Sequence, residues 1–172
     1  MENELPNPGR IPKEADLVAL CRALNECGAR YLIVGGFAVI HHGYLRATED
    51  IDLLLDGARE NQNRVKKALQ TLPDKAILEL GDDDLRDYTV VRVSDEIVVD
   101  LMISACGIGY DEASRSIETV EIQGVSIPFA NPELLLRMKQ TPREKDASDR
   151  VFLHRKIAER EGRHPKGDRP NE

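Results

Sequence analysis

The chain has 172 residues, 41% of them hydrophobic and 32% charged, which is enough for one compact domain with a real core and room for a helical appendage. With no Trp and only 4% aromatic residues, that core must be aliphatic. The net charge of −7 argues against a protein that grips long nucleic acid through unspecific charge, because such proteins usually show a basic footprint; a local basic groove or a single RNA end as substrate stays open.

The opening stretch MENELPNPGRIPKE has no apolar h-region, so no secretory leader is expected there. Pro6, Pro8, Gly9 and Pro12 mark residues 1–12 as a flexible arm. Helical spacing begins after Pro12, where Leu17, Leu20, Cys21 and Leu24 form one apolar stripe, and Gly28 is placed to stop that helix. Tyr31 to Gly36 reads as a buried strand that turns sharply at its glycines. A short helix over 37–43 and a turn through Tyr44, Leu45 and Arg46 follow. Asp50 to Asp56 reads as a strand, and Arg59 to Leu72 as a mostly polar helix with Val65, Ala68, Leu69 and Leu72 on one side.

Gly81 to Asp84 reads as a solvated acidic loop. Tyr88 to Val93 and Ile97 to Ile103 predict an antiparallel hairpin around Ser94, Asp95 and Glu96. Tyr110 and Asp111 fall in a loop, and 117–129 holds two more short strands around Gly124. Asn131 and Pro132 have the form of a helix cap and first helical residue, predicting a helix over 133–140. Thr141 and Glu144 have capping-box spacing, predicting a last helix to about Glu161. The polar, Gly/Pro-rich residues 162–172 read as a disordered tail, leaving 13–161 as the domain. No segment is long enough to span a bilayer. Cys21, Cys27 and Cys106 fit no zinc pattern; they read as small core or surface residues, and free thiols point to a reducing cytoplasm.

The chemistry concentrates in two stretches, Leu32 to Val39 and Arg46 to Leu55. Strand alternation projects Asp50 and Asp52 from one face, about 7 Å apart, while Ile51 and Leu53 point to the other. Two carboxylates beside an apolar strand call for positive charge, and a hard cation would supply it. The plainer reading is a solvent-facing strand edge. Asp100 likewise interrupts the apolar run from Ile97 to Ile103. It joins the same cluster if its strand lies beside Asp50 and Asp52, and is otherwise half of a buried salt bridge to an Arg. Gly35 and Gly36 allow close approach of a phosphate, or simply a tight turn. Arg46 and Thr48 either contact phosphate or serve the local turn and backbone. His41 and His42 read as helix-surface residues near the site mouth.

The pattern hydrophobic-Gly35-Gly36, thirteen residues, Asp50-Ile51-Asp52, then a later-strand Asp100, resembles the signature of the DNA polymerase β-like nucleotidyltransferase superfamily. The Arg46-x-Thr48-x-Asp50-Ile51-Asp52 form is similar to small bacterial members: antibiotic nucleotidyltransferases and toxin nucleotidyltransferases of the abortive-infection type. Lys139 and the Lys145-Asp146-x-x-Asp149 element resemble motifs of that toxin branch. The resemblance implies an α/β (α+β) nucleotidyltransferase fold, with a mixed sheet flanked by helices and a C-terminal helical segment. It implies Mg²⁺ or Mn²⁺ on Asp50, Asp52 and Asp100, and triphosphate at Gly35 and Gly36, with Arg46, Thr48 and Lys139 as further nucleotide contacts. It leaves Lys139, Asp146 and Asp149 as either catalytic or structural. Many members carry Ser or Thr just after the glycines; here Phe37 stands there.

The implied reaction is transfer of NMP from an NTP to an acceptor hydroxyl on tRNA, protein or a small molecule such as an antibiotic. Asp50, Asp52 and Asp100 are its catalytic set. Two alternatives accompany it: a toxin partnered by a cognate antitoxin, and an inactive module that only binds nucleotide. The chain is expected to act in the cytoplasm, away from membranes, as a monomer or homodimer.

Overall fold

A computed structural model describes residues 9–162; residues 1–8 of the expected arm and 163–172 of the expected tail lie outside it. Helix α1 (Glu14–Glu26) buries Leu17, Val18, Leu20, Cys21 and Leu24. Asp16 closes its first turn by accepting the Lys13 N–H at 2.7 Å, and it also pairs with Arg10. Gly28, at φ +68°, ends the helix and lets the Ala29 N–H reach back to the Leu24 carbonyl. Residue 10, in the last part of the expected arm, is docked: Arg10 donates its N–H to the Glu96 carbonyl at 2.8 Å and bridges to Ile97.

Strand β1 (Tyr31–Val34) is wholly buried and runs straight into α2 (Gly35–His41). This helix starts two residues earlier than the spacing predicts, because Gly35 at φ +64° reverses the chain at the strand end and the glycines become the first helical turn. Strand β2 (Asp50–Leu55) and helix α3 (Arg59–Leu69) follow. The helix stops short of Leu72, where the Thr71 hydroxyl takes the Ala68 carbonyl at 2.8 Å. A 3-10 turn (Ala76–Glu79) precedes the short helix α4 (Asp84–Asp87). The acidic run from Gly81 is thus only partly loop, since the Asp84 carboxylate accepts the Gly81 N–H at 2.7 Å.

The predicted hairpin forms from β3 (Val91–Ser94) and β4 (Val98–Met102). A small hairpin, β5 (Ser104–Ala105) and β6 (Ile108–Gly109), leads into α5 (Tyr110–Ala113). Tyr110 and Asp111 therefore open a helix instead of lying in a loop, with Arg30 stacked over the Tyr110 ring. After a 3-10 turn (Ser114–Ser116) come β7 (Ile117–Ile122) and β8 (Val125–Ala130), then α6 (Pro132–Met138) and α7 (Glu144–Gly162). Asn131 caps α6 as predicted, accepting the Leu134 N–H at 2.8 Å. At α7, by contrast, the Thr141 hydroxyl goes to Asp146 and not to Glu144.

Six strands make one mixed sheet in the order β3-β4-β2-β1-β8-β7. Its central pairs β2–β4 and β1–β8 are parallel, while β1–β2, β3–β4 and β7–β8 are antiparallel. The near-continuous apolar runs of β1, β2 and β4 suit strands covered on both faces. Helix α1 packs on α3 and β8; α6 packs on α7 and touches α2. The result is the α/β architecture with a mixed sheet and a C-terminal helical segment that the resemblance implies. No described helix is long and apolar enough to cross a membrane.

Candidate active site

The site begins with register. Parallel pairing of β2 with β4 sets Asp52 opposite Asp100 and Asp50 opposite Val98. Alternation does the rest: Ile51 and Leu53 are fully buried, while Asp50 and Asp52 face an open cleft. One carboxylate oxygen from each of Asp50, Asp52 and Asp100 lies within 4.8 Å of the others. An all-carboxylate donor set at this spacing fits a hard divalent cation such as Mg²⁺ or Mn²⁺ and does not suit a soft one.

A fourth residue, Arg92, belongs to the same cluster and is absent from the sequence-based set. The β3–β4 hairpin places it opposite Asp100. Its Nε and Nη2 donate to Asp100 Oδ1 and Oδ2, both at 2.9 Å, and Nη2 also reaches Asp50 Oδ2 at 3.1 Å. Asp100 is therefore both a member of the carboxylate cluster and half of an arginine pair. The alternation Val91-Arg92-Val93 alone does not mark Arg92 out. The available signal is the hairpin itself, since pairing Ser94 with Val98 puts Arg92 across from Asp100.

One guanidinium does not balance three carboxylates. Burial, followed by the charges of Asp50 and Asp100, pushes the Asp52 carboxyl up to about 7. Burial and the Asp100 charge raise that of Asp50 as well, against the pull of Arg92. In both, burial is the larger cause and the neighbouring carboxylate charge adds to it.

The glycines are shaped around these side chains. A β-carbon on Gly35 would overlap the Asp52 carboxylate, and one on Gly36 would overlap Thr48. The Gly36 N–H favours the ionised form of Asp52. Thr48 is buried and donates its hydroxyl to the Asp50 carbonyl at 3.2 Å, holding the entry to β2.

Arg46 is no surface turn residue. Its Nη2 donates to Asp149 Oδ2 at 2.9 Å, and its Nε stands 2.9 Å from Oδ1 as an ion-pair contact. Lys139 Nζ lies 3.0 Å from Asp149 Oδ2 and 3.2 Å from Asp146 Oδ1. Asp149 has no exposed surface. Burial alone would raise the Asp146 carboxyl, but the Thr141 hydrogen bond and the Lys139 charge outweigh it and hold it low. Arg150 donates to the carbonyls of Lys139 and Thr141 at 2.6 and 2.9 Å. The Lys139, Asp146 and Asp149 element thus ties α7 to the approach of β2.

The histidines lie elsewhere than expected. His42 is buried, with Nε2 2.9 Å from the Ala130 carbonyl and Nδ1 3.4 Å from Arg160 Nη2. This arrangement favours the neutral ring protonated at Nε2. His41 stacks on Phe129 at 4.0 Å. Neither lines the cleft, because α2 turns that end toward β8 and α7 and away from the carboxylates.

The cleft has a volume of about 320 Å³, on the scale of a small-molecule site. Gly35, Gly36, Arg46, Thr48, Lys139 and the three aspartates all line it, so the predicted site residues are brought together. Arg143 and Lys145 add positive charge, and Val90, Met102 and Ala105 add apolar surface. Cys106 also lines it, with its thiol on the Met138 carbonyl at 3.2 Å, while Cys21 is buried in α1.

No family model matches the sequence, and no curated protein matches it. Solved structures do. An antigenic nucleotidyltransferase-like protein from Paracoccidioides brasiliensis aligns with a TM-score of 0.54 at 18% identity, over 88% of this chain and 78% of that one. The lincosamide antibiotic adenylyltransferase LnuA, bound to lincomycin, aligns with a TM-score of 0.51 at 15% identity, over 85% of this chain and 98% of that one. At these identities the likeness speaks for the fold: the chain has the fold of nucleotidyltransferase-like proteins.

Proposed function

We propose that this chain is a divalent-metal-dependent nucleotidyltransferase that moves NMP from an NTP to an acceptor hydroxyl. The observation that carries the reading is the convergence of Asp50, Asp52 and Asp100 within 4.8 Å on the floor of a cleft, in this fold. Those three residues would hold Mg²⁺ or Mn²⁺, which supplies positive charge to the triphosphate and the developing transition state. Asp100 takes the proton of the acceptor hydroxyl, whose oxygen bonds to the α-phosphorus as the bond to pyrophosphate breaks. Gly35, Gly36, Arg46, Thr48 and Lys139 line the cleft and would contact the leaving pyrophosphate. Asp146 and Asp149 act by positioning, through the ion pairs with Lys139 that fix α7.

The test is transfer of label from radioactive NTPs, with Mg²⁺ or Mn²⁺, to three acceptor classes: total tRNA, protein including the chain itself, and small hydroxyl compounds. LnuA was solved with lincomycin, which recommends a lincosamide for the third class. The Asp50→Asn/Asp52→Asn double variant is expected to transfer no label, and undiminished transfer would sink the assignment. A toxin role with a cognate antitoxin predicts growth arrest on expression, relieved by the same double variant. The free thiols of Cys21, Cys27 and Cys106 support a reducing cytoplasm as the working compartment. A homodimer would supply the acceptor surface that a small cleft lacks; sedimentation with and without NTP tests for it.

The bidentate pair of Arg92 with Asp100 favours one competing reading, a module that binds nucleotide without catalysis. Calorimetry separates the two. The catalytic reading requires NTP binding to strengthen with Mg²⁺, whereas the module binds NTP equally well without it.

A further inference from the structure

Arg92 sits where a cation would sit. Its guanidinium spans Asp100 through both oxygens and also reaches Asp50, two of the three carboxylates that form the cluster. A divalent ion seeking the same oxygens must compete with a charge-assisted, two-pronged pair. The pair is also built to open. β3 is the edge strand of the sheet, and the Arg92 side chain is 59% exposed while that of Asp100 is 7% exposed. The acid is fixed and the base is free to swing.

Once displaced, the guanidinium can turn outward to solvent or along the wall of the cleft. It lines a cleft whose other charged residues include Arg143 and Lys145, and a metal ion on the aspartates adds repulsion. Anionic oxygens inside the cleft relieve that repulsion, and a triphosphate brings them.

On this ground we propose that Arg92 makes metal and nucleotide entry cooperative. It is an internal counter-ion that suppresses binding of the bare cation, and it turns to phosphate when metal and NTP arrive together. The inference rests on the reading of Asp50, Asp52 and Asp100 as metal ligands. Arg92 is accordingly a positioning residue that sets the order of loading.

The experiment measures Mn²⁺ binding by electron paramagnetic resonance and calorimetry, without catalysis, in the presence and absence of a non-hydrolysable NTP analogue. The wild-type chain is expected to bind Mn²⁺ more tightly when the analogue is present, by about fivefold or more, the low end of ordinary coupling between ligands. Arg92→Gln is expected to bind bare Mn²⁺ more tightly than the wild type and to lose most of the gain from the analogue. Arg92→Lys keeps the charge without the planar fork and should fall between the two. It also covers the case in which the Gln variant does not fold, which circular dichroism reports directly.

Bare Mn²⁺ binding that is unchanged or weaker in both variants would overturn the inference and leave the metal reading standing. An unchanged gain from the analogue would do the same. No Mn²⁺ binding by any of the proteins, with or without analogue, would overturn the metal reading and the inference together.

Discussion

At Gly35 there is no room for a single methyl group. The backbone there is left-handed, and the space a β-carbon would take is filled by the Asp52 carboxylate. Gly35→Ala therefore carries two penalties, conformational and steric, and is expected to destabilise the chain by well over about 1 kcal/mol in urea denaturation. Gly28→Ala is the matched control: it shares the positive φ, but open space surrounds its β-carbon, so it should cost only about 1 kcal/mol. The glycine pair is legible in the sequence as special backbone beside a site. What could not be read is that side chains from the next strand, and not only a ligand, forbid anything larger. Asp50 and Asp52 were legible for a simpler reason, since strand alternation fixes faces without knowledge of neighbours. Arg92 stayed hidden because an Arg between two Val residues looks like any solvent-facing strand position until the hairpin register is drawn.

Among the elements, α7 has an anchor that does not follow from its own periodicity. Asp149, with no exposed surface, faces two cations from other segments, Arg46 before β2 and Lys139 after α6. Asp149→Asn would leave both cations without their shared anion in a largely buried setting. It is expected to cost about 3 kcal/mol in denaturant unfolding, near the loss seen when one partner of a buried pair is removed. Lys139→Met should cost less, because Arg46 still answers Asp149. The Lys145-Asp146-x-x-Asp149 element was legible only as a motif resemblance, catalytic or structural, and its partners were not legible at all. Local capping rules point from Thr141 to Glu144, yet Lys139 on the far side draws the bonding toward Asp146. Tertiary charge outweighs a local rule worth about 1 kcal/mol.

Over the whole molecule, two histidines set an acid limit. Burial comes first among the causes that lower His41 and His42, and both sit where α2, β8 and α7 meet. A lowered folded value means that the unfolded chain takes up protons first as the pH drops. Their contribution to stability is then complete above about 6.5 and is lost as the pH falls below it. Asp52, pushed up to about 7, takes up a proton on folding in the same window and works in the opposite direction, so the test is a comparison: melting curves of the wild type and of a His41→Gln/His42→Gln variant from pH 7.5 to 5 should diverge by the histidine loss, and parallel curves would exclude the histidines as its source. The longer helices, the hairpin and the C-terminal segment were legible because each follows a local period or punctuation, whereas the one-turn helices α4 and α5 carry no such period and were expected as loop. Strand order was not, since periodicity says which face is buried and nothing about who lies alongside. The juxtaposition of Asp52 with Asp100 has a consequence for how the chain acquires its site. The aspartates lie on β2 and β4 and Arg92 on β3, so a fragment ending before Val91 retains Asp50 and Asp52 but not the gathered charge. The cluster comes into being only when the β3–β4 hairpin docks beside β2. Any small ion that selects the finished arrangement binds the native state alone and raises its melting temperature by mass action, reporting that this hairpin has docked.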